Sequence, residues 1–410
     1  MNTNDIFAAA LNLPEPWSIS KVEFKPDSAG TMELHIELFF LRGSKFACPE
    51  CGIEVTAYDT SPRTWRHLNF FQYKTYIHAD LPRVKCGEHG VKTINVPWAR
   101  EGSGFTLLFE GWVVELAKHL PVATIANMVD EHDTRLWRFI KHYVDEARSR
   151  EDYSEVNSIG IDETSKKGHK YVTVVVDLNQ RKVIYVTNGK DATTVDQFAE
   201  DFAAHKGDVE AIKTVTCDMS LGFKKGINEH FVNSNTIIDK FHVIKHINEA
   251  LDEVRRDEIK QGPWYKHLLN KSKYLWLKND INLTDKQRER KESLMHKRLK
   301  TARAYAMRVT LQDIYETSFD RSTAEERLNQ LYGWLVRSRL SPMKKFASLL
   351  KNHWQEILNY FDRRYTNAIL EGMNSIIQNI KRRARGFRND EYFKTMIYLG
   401  CGKLDLKISM

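Results

Sequence analysis

The sequence is short of cysteine, of proline and of long apolar runs, and each shortage removes a class of protein. Five cysteines in 410 residues cannot make the disulfide framework of a small secreted domain. No Pro-rich or Gly/Ser-rich tract marks a disordered linker. No stretch of about 18 apolar residues exists, so no membrane-spanning helix is expected. The opening residues, MNTNDIFAAALNLPEPW, lack a basic start followed by a long apolar run. A secretory signal is therefore not expected, and the chain reads as cytoplasmic. No internal repeat is visible.

What is present suits a folded chain with several cores. Hydrophobic residues make up 42% and charged residues 28%, a composition typical of globular proteins. The length predicts two to four domains. A net charge of +8 and a pI near 9.0 favour polyanionic partners, because Lys and Arg release counterions from phosphates. The charge is uneven: residues 381–388, KRRARGFR, hold five positive charges and no negative one.

The periodicity changes three times along the chain. The first hundred residues read as β-rich. Met32, Leu34, Ile36 and Leu38 alternate with Glu33, His35 and Glu37, the period of a half-buried strand, and residues 73–79 and 91–96 predict further short strands. Residues 105–150 switch to a helical period. Leu108, Trp112 and Leu116 share one face, and Val122, Ile125 and Val129 share another after Pro121. A third helix after Asp133 carries Leu136, Phe139, Ile140 and Tyr143 inward and shows Arg135, Arg138, Lys141 and His142 outward. Three short helices with a basic third helix resemble a helix-turn-helix, whose last helix enters the major groove. Arg135, Arg138 and Lys141 would then meet DNA.

From residue 158 the expected order is three strands, helix, strand, helix, strand: 158–162, 171–178, 182–187, a helix over 191–205, a strand over 212–218, a short helix, and a strand over 236–243. Residues 244–360 carry almost no strand signal and read as a helical block with Trp264, Trp276, Trp334 and Trp354. A last long helix is expected over 367–383.

Two constellations carry chemistry. Cys48-Pro-Glu-Cys51 and Cys86-Gly-Glu-His89 form C-x-x-C and C-x-x-H half-sites, and zinc takes four thiolate and imidazole ligands presented in such pairs. Gly52, Gly87 and Gly90 suit the turns of such knuckles. The plain alternative is buried thiols and a surface histidine. His67 and His78 read as packing or surface residues, and Cys217 and Cys401 as small buried side chains. The second constellation is acidic. Asp162 and Asp218 end strands one and four, which can lie side by side, and Glu371 sits on the last helix. Converging carboxylates repel one another without a cation, and oxygen donors suit magnesium or manganese. Two such ions serve in-line phosphoryl transfer. Each acid alone reads equally well as a turn or surface residue. Glu163 competes with Asp162, but strand alternation points it to the opposite face. Asn367, Glu371, Asn374, Gln378, Lys381 and Arg385 share one polar face of the last helix, opposite Leu370, Met373, Ile377 and Ile380. That stripe, with Arg382 and Arg388, suits a phosphate backbone.

Several long segments resemble the ISL-three (ISL3) family of bacterial insertion-sequence transposases: CPECG at 48–52, WRHLNFF at 65–71, PRVKCGEHGV at 82–91, GIDETSKKGHKYVTVVVDL at 160–178, CDMS at 217–220, DKFHV at 239–243 and LEGMNSIIQNIKRRARGFRN at 370–389. The resemblance spans nearly the whole chain. It implies a multidomain α/β protein: a zinc-binding β-rich module (1–104), a helix-turn-helix (105–152), an RNase H-like catalytic core of the DDE type (153–243 and 361–410) and a helical insertion (244–360). It places the catalytic triad on Asp162, Asp218 and Glu371, which hold two Mg or Mn ions, and one structural Zn on Cys48, Cys51, Cys86 and His89. It matches Asp239 and His242 to a D-x-x-H element, giving His242 a place near the scissile phosphate. It implies double-stranded DNA partners (transposon ends and target), a homodimer or larger assembly, and a bacterial, nucleoid-associated location. The insertion's tryptophans read as core residues or as platforms for a flipped base. A junction-resolving nuclease of the same fold would cut without joining, and a zinc-containing DNA-binding regulator would do neither.

Overall fold

Alternating apolar residues near the N-terminus make strands, as their period requires. The computed structural model describes residues 3–166, 171–219, 221–363 and 368–408, and the chain divides into two compact units, one ending at Ala147 and joined by the residues from Asp405, the other Arg148–Leu404. The first unit opens with helix α1 (Thr3–Leu11) and strands β1 (Trp17–Pro26), β2 (Met32–Phe40), β3 (Lys45–Ala47), β4 (Glu54–Phe70), β5 (Tyr73–Cys86) and β6 (Gly90–Thr93). The sheet order is β1-β2-β5-β4-β3, with β6 on β5, and only the β2–β5 pair is parallel among these pairings. Leu34, Ile36 and Leu38 are buried with Trp17, Trp65, Ile77 and Trp98. The expected strand over 73–79 continues to Cys86, and the one over 91–96 shortens to Gly90–Thr93. β4 carries WRHLNF, with Phe71 in the turn that follows, and it escapes periodicity because most of its length is exposed or half-buried.

Helices α2 (Leu107–His119), α3 (Val122–Val129) and α4 (Asp133–Ser149) follow. In α3, Val122, Ile125 and Val129 are buried, and in α4 so are Leu136, Phe139, Ile140 and Tyr143. In α2 the stripe of Leu108, Trp112 and Leu116 is not the buried one. Phe109, Val113, Val114 and Ala117 face the core, and Trp112 is 40% exposed. Two apolar stripes compete on this helix, and the fully buried Glu110 decides between them. Its carboxylate accepts from Arg100 Nε and Nη2 (both 2.9 Å), Ser103 Oγ (2.7 Å) and Tyr143 Oη (2.7 Å), so the burial cost is met by a charge and four hydrogen bonds.

His67 joins the sheet to these helices. Its Nδ1 lies 2.8 Å from Oγ1 of Thr106, the N-cap of α2. Burial, with the Arg66 charge beside it, holds the imidazole down at about 4. A depressed histidine pKa means that the unfolded chain binds the extra proton between pH 6.5 and 4. Stability from this group is therefore complete above pH 6.5 and is lost as pH falls towards 4. We expect His67→Gln to remove about 2 kcal/mol of that acid destabilisation between pH 7 and pH 5, read as the difference between wild-type and variant urea midpoints at the two pH values. Equal pH dependence in both would refute the assignment.

The second unit contains strands β7 (Ser158–Ser165), β8 (Tyr171–Asp177) and β9 (Lys182–Asn188), helix α5 (Ala192–Ala204), β10 (Thr214–Cys217), α6 (Leu221–His230) and β11 (Asn235–Ile238). Their order is β11-β10-β7-β8-β9. β7, β8 and β9 form an antiparallel meander, while β10 runs parallel to both β7 and β11. Ile159, Ile161, Val175, Ile184 and Val215 pack on Phe198, Phe202 and Phe223 of the two helices. Two expectations need correction. β7 does not end at Asp162 but pairs with β8 as far as Ser165. The expected strand over 236–243 stops at Ile238, because Asp239 caps a helix and accepts from Phe241 N (3.0 Å).

That helix, α7 (Lys240–Ile259), begins the helical block: α8 (Pro263–Leu269), α9 (Lys273–Leu277), α10 (Asp285–Met295), α11 (Lys300–Thr317), α12 (Arg321–Arg337), α13 (Ser341–Asn352) and α14 (Trp354–Arg363). Val243, Ile247, Leu251, Met307, Leu311, Leu328 and Leu350 share its core. Trp276 and Trp354 are buried there, whereas Trp264 and Trp334 are exposed. α11 lacks a side-chain cap of its own. The buried Glu258 substitutes, accepting from Lys300 N (2.7 Å) and Thr301 N (2.8 Å), a carboxylate at a positive helix end. Helices α15 (Ala368–Arg383) and α16 (Asp390–Cys401) complete the unit. Leu370, Ile377 and Ile380 are buried and Met373 half-buried. Asn367 and Ser220 lie outside the described residues. Among the described residues no helix is long and apolar enough to cross a membrane.

Candidate active site and metal centre

Two of three adjacent parallel strands stop just before an aspartate, β10 before Asp218 and β11 before Asp239, while Asp162 lies within β7 just past its pairing with β10. The β7–β10 pairing stops at Gly160 and Thr216, and the β10–β11 pairing at Cys217 and Ile238. Asp162, Asp218 and Asp239 therefore emerge beside one another at one edge of the sheet. Asp162 is held on both oxygens. Its Oδ1 accepts from Glu163 N (2.7 Å), and its Oδ2 accepts from Asn374 Nδ2. Asn374 in turn accepts from Thr164 Oγ1 (2.6 Å). Burial pushes the Asp162 carboxyl up to about 6, and the charge of Asp218 adds to the rise. His242 lies against Asp239, with Nδ1 3.2 Å from its Oδ2. Burial opposes its charge, but the bond to Asp239 and the charges of Asp162 and Asp218 raise its pKa above the ordinary value. Glu163 pairs with Lys190 at 3.8 Å and still feels the charges of Asp218 and His242, and burial raises its carboxyl above the ordinary value.

Helix α15 crosses β7 because Gly160 leaves room for it. A Cβ there would stand 2.8 Å from both Leu370 methyls and 3.0 Å from Leu178. Asn374 and Lys381 follow along the same side, and Lys381 Nζ donates to Ser165 O (2.6 Å). The polar stripe of α15 is thus partly a contact face and not wholly a solvent face. Glu371 stands in the first turn of the helix, exposed, and lines a cavity together with Asp239. Among the described residues, Asp162, Asp218 and Glu371 do not close into a group with ligand atoms within 4.8 Å. We expect Gly160→Ala to lift α15 from β7 at a cost of about 1–3 kcal/mol, seen as a lower urea midpoint. An unchanged midpoint would mean that Leu370 rearranges freely.

The one cluster that does close among the described residues is Cys48, Cys51, Cys86 and His89, whose donor atoms all lie within 4.8 Å of one another. Cys51 and Cys86 sulfurs are 3.6 Å apart, and Cys86 Sγ is 3.6 Å from His89 Nδ1. Zn–S bonds of about 2.3 Å in a tetrahedron place sulfurs roughly 3.8 Å apart, so the donor set fits zinc. The backbone N–H groups of His89 and Glu88 hold the Cys86 thiol down at about 6. Glu50 stands 3.6 Å from His89 Nε2, on the far side of the ring from the thiols, which orients it. Gly52 and Gly90 adopt positive φ (+74° and +70°) at the knuckle turns, whereas Gly87 does not. His67 and His78 stay outside the cluster: His78 bonds His35 (2.8 Å) and Thr64 (2.9 Å). Cys217 and Cys401 are buried.

Comparison with known families assigns both regions. A DDE-type family model of ISL3, described as a transposase, matches residues 159–397. The chain belongs to the ISL3 transposase family. The helix-turn-helix domain of transposase family ISL3 matches residues 94–144, and the zinc-finger of transposases IS204/IS1001/IS1096/IS1165 matches 44–89. The transposase for insertion sequence element IS1001 of Bordetella parapertussis is 27% identical over 390 residues, covering 92% of this chain and 93% of that protein. The transposase for IS1557 of Mycobacterium tuberculosis is 26% identical over 419 residues, covering 94% and 93%. The protein is a DNA-binding, DNA-cleaving transposase, and its family implies a divalent metal at the catalytic site.

On the transposase's helix-turn-helix, Arg135 and Arg138 are exposed and Lys141 half-buried. Arg135 lies over the Phe105 ring (4.4 Å) and pairs with Glu131, and Lys141 pairs with Asp145 (2.5 Å). Arg382, Arg385 and Arg388 are exposed beyond the Lys381 contact. Asn374 is the site residue that sequence reading undervalued. It stood in the polar stripe, but its bond to Asp162 joins residues 212 apart, for which no local pattern exists.

Proposed function

We propose that Asp162, Asp218 and Glu371 form the acidic triad of a strand-cleavage and strand-transfer site, and that the second unit is an RNase H-like core interrupted by a helical insertion over 244–360. The carrying observation is the placement of Asp162 on β7 and Asp218 after β10, each two residues beyond the last paired residues of these neighbouring parallel strands, with the Glu371-bearing helix laid across β7. The sheet order β11-β10-β7-β8-β9, with its antiparallel meander and two parallel strands, supports the fold reading. All-oxygen donors and a carboxyl raised by burial and by a neighbouring charge fit a hard dication, Mg or Mn. When bound, two such ions supply Lewis-acid activation of the attacking and leaving oxygens.

The protein's own groups position and neutralise. Asn374 fixes the rotation of Asp162, and Asp239 orients His242 towards the two carboxylates. Water attack at the terminal phosphodiester breaks the P–O3′ bond, and the departing oxygen takes a proton to become a 3′-hydroxyl. That hydroxyl then attacks a target phosphodiester, forming a new P–O bond and releasing the target's 3′ oxygen. In the other unit a zinc ion on Cys48, Cys51, Cys86 and His89 holds the module (1–104) that supports the helix-turn-helix (105–152). Arg135, Arg138 and Lys141 engage the terminal inverted repeats, and Lys381, Arg382, Arg385 and Arg388 lie along phosphates. Joining two ends in one complex calls for a homodimer or larger assembly. The test is a supercoiled plasmid carrying the element's two ends, incubated with magnesium or manganese. End-specific 3′ breaks with joined products support the reading, and breaks without joining reduce it to a nuclease.

A further inference from the structure

A cavity of about 320 Å³ opens beside the carboxylates, walled by Asp239, Phe241, Arg308, Gln312, Tyr360 and Glu371. Two of its walls, Asp239 and Glu371, also belong to the candidate active site, so whatever enters stands next to the reacting phosphate. Its size is at the lower end of small-molecule sites, which run from ~300 to ~1,000 Å³, enough for one planar ring system and not for a strand.

The lining chemistry is selective. Lys240 and Arg308 stand there with three carboxylates, those of Asp239, Glu316 and Glu371, so the lining offers hydrogen-bond donors and acceptors together. A neutral heterocycle with donors and acceptors on its edge would find partners of both kinds. Arg308 is only 4% exposed. It donates to Asn248 Oδ1 (3.2 Å) and Asn279 Oδ1 (2.9 Å) and makes no ion pair within 4.0 Å among the described residues. A buried guanidinium with amide partners alone retains capacity for a further acceptor. Phe241 stands at the lip, 56% exposed, one residue before His242. An aromatic ring left in water there gains contact only when a flat partner covers it.

We propose that this cavity receives one nucleobase, turned out of the duplex next to the scissile phosphate, with Phe241 against its face and Arg308 and Gln312 at its polar edge. The proposal rests on reading Asp162, Asp218 and Glu371 as the cleavage site. Turning a base out costs its stacking, and the ring and polar contacts offset that cost while locking the register of the cut. The block's tryptophans are not needed: none lines the cavity, and Trp276 and Trp354 are buried in its core.

The test places 2-aminopurine singly at each position flanking the cleavage point in duplex DNA carrying the element's end. Fluorescence is read in complex with full-length Asp218→Asn protein and magnesium. One flanking position should brighten severalfold, and adding Phe241→Ala should abolish that signal. In the otherwise wild-type protein Phe241→Ala should slow cleavage by on the order of tenfold or more, and an abasic nucleotide at the bright position should restore most of the rate. Phe241 is exposed, so the variant should keep its fold. End-specific cleavage by the wild type with no bright position overturns the cavity proposal alone, as does Phe241→Ala cleaving at the wild-type rate or without abasic rescue. No metal-dependent cleavage by the wild type overturns the reading of the carboxylates, and this proposal with it.

Discussion

Asp218→Asn should slow cleavage of the element's ends by on the order of 10³-fold or more while leaving end binding intact. The size follows from the chemistry: ions held by carboxylates supply several kcal/mol of transition-state stabilisation, and each ~1.4 kcal/mol is a factor of ten. Binding survives because the helix-turn-helix match, 94–144, lies in the other unit. Asp162→Asn should act equally, and Asp162 adds a pH signature. Its carboxyl titrates at about 6, held there by burial and by Asp218. The raised pKa means that the acid form persists through the ordinary carboxylate range. At limiting magnesium, cleavage should fall as pH drops through about 6, and excess magnesium should shift that midpoint down. Cleavage within tenfold of wild type in Asp218→Asn would remove Asp218 from the triad.

Removing the zinc should cost the first unit its fold. Structural zinc binding is worth about 10–16 kcal/mol in small modules, against roughly 5–15 kcal/mol for the whole stability of a domain. Chelation, or Cys86→Ser, should therefore unfold the Cys-bearing end of the sheet. End binding should weaken on the order of a hundredfold or more as the β4 contact to α2 is lost. Metal analysis should find one zinc per chain, and Cys401→Ser should leave that content unchanged. A chain that binds ends equally well without zinc would make the cluster an ordinary thiol group.

The sequence revealed what local pattern controls. Alternation placed β2, and the apolar positions of α4 came out on the buried side. The strands bearing Asp162 and Asp218 are neighbours because a three-strand meander followed by a helix crossover brings β10 beside β7. Elements without a local signature were missed. β4 alternates only between exposed and half-buried positions over its first half, too shallow a contrast to demand alternating apolar residues. Residues 236–243 read as a strand from their apolar residues, yet Asp239 caps a helix instead. Contacts spanning two hundred residues, such as Asn374 to Asp162 or Leu370 in the space over Gly160, leave no trace in any window. The exposure of Glu371 and the burial of Arg308 likewise depend on how α7, α11, α14 and α15 pack.

The cradle over Gly160 also sets an order of assembly during synthesis. About 150 residues separate Asp218 from Glu371, and the helix that fills the cradle begins only at the end of that interval, at Ala368. At ~5–20 residues per second, a ribosome needs on the order of ten to thirty seconds to pass from one to the other. Residues 1–147 leave the ribosome well before then, while β7 still lacks Leu370 and Asn374. A chain halted anywhere in the helical block is a potential DNA binder without blades, and the capacity to cut arrives only with the last fifty or so residues.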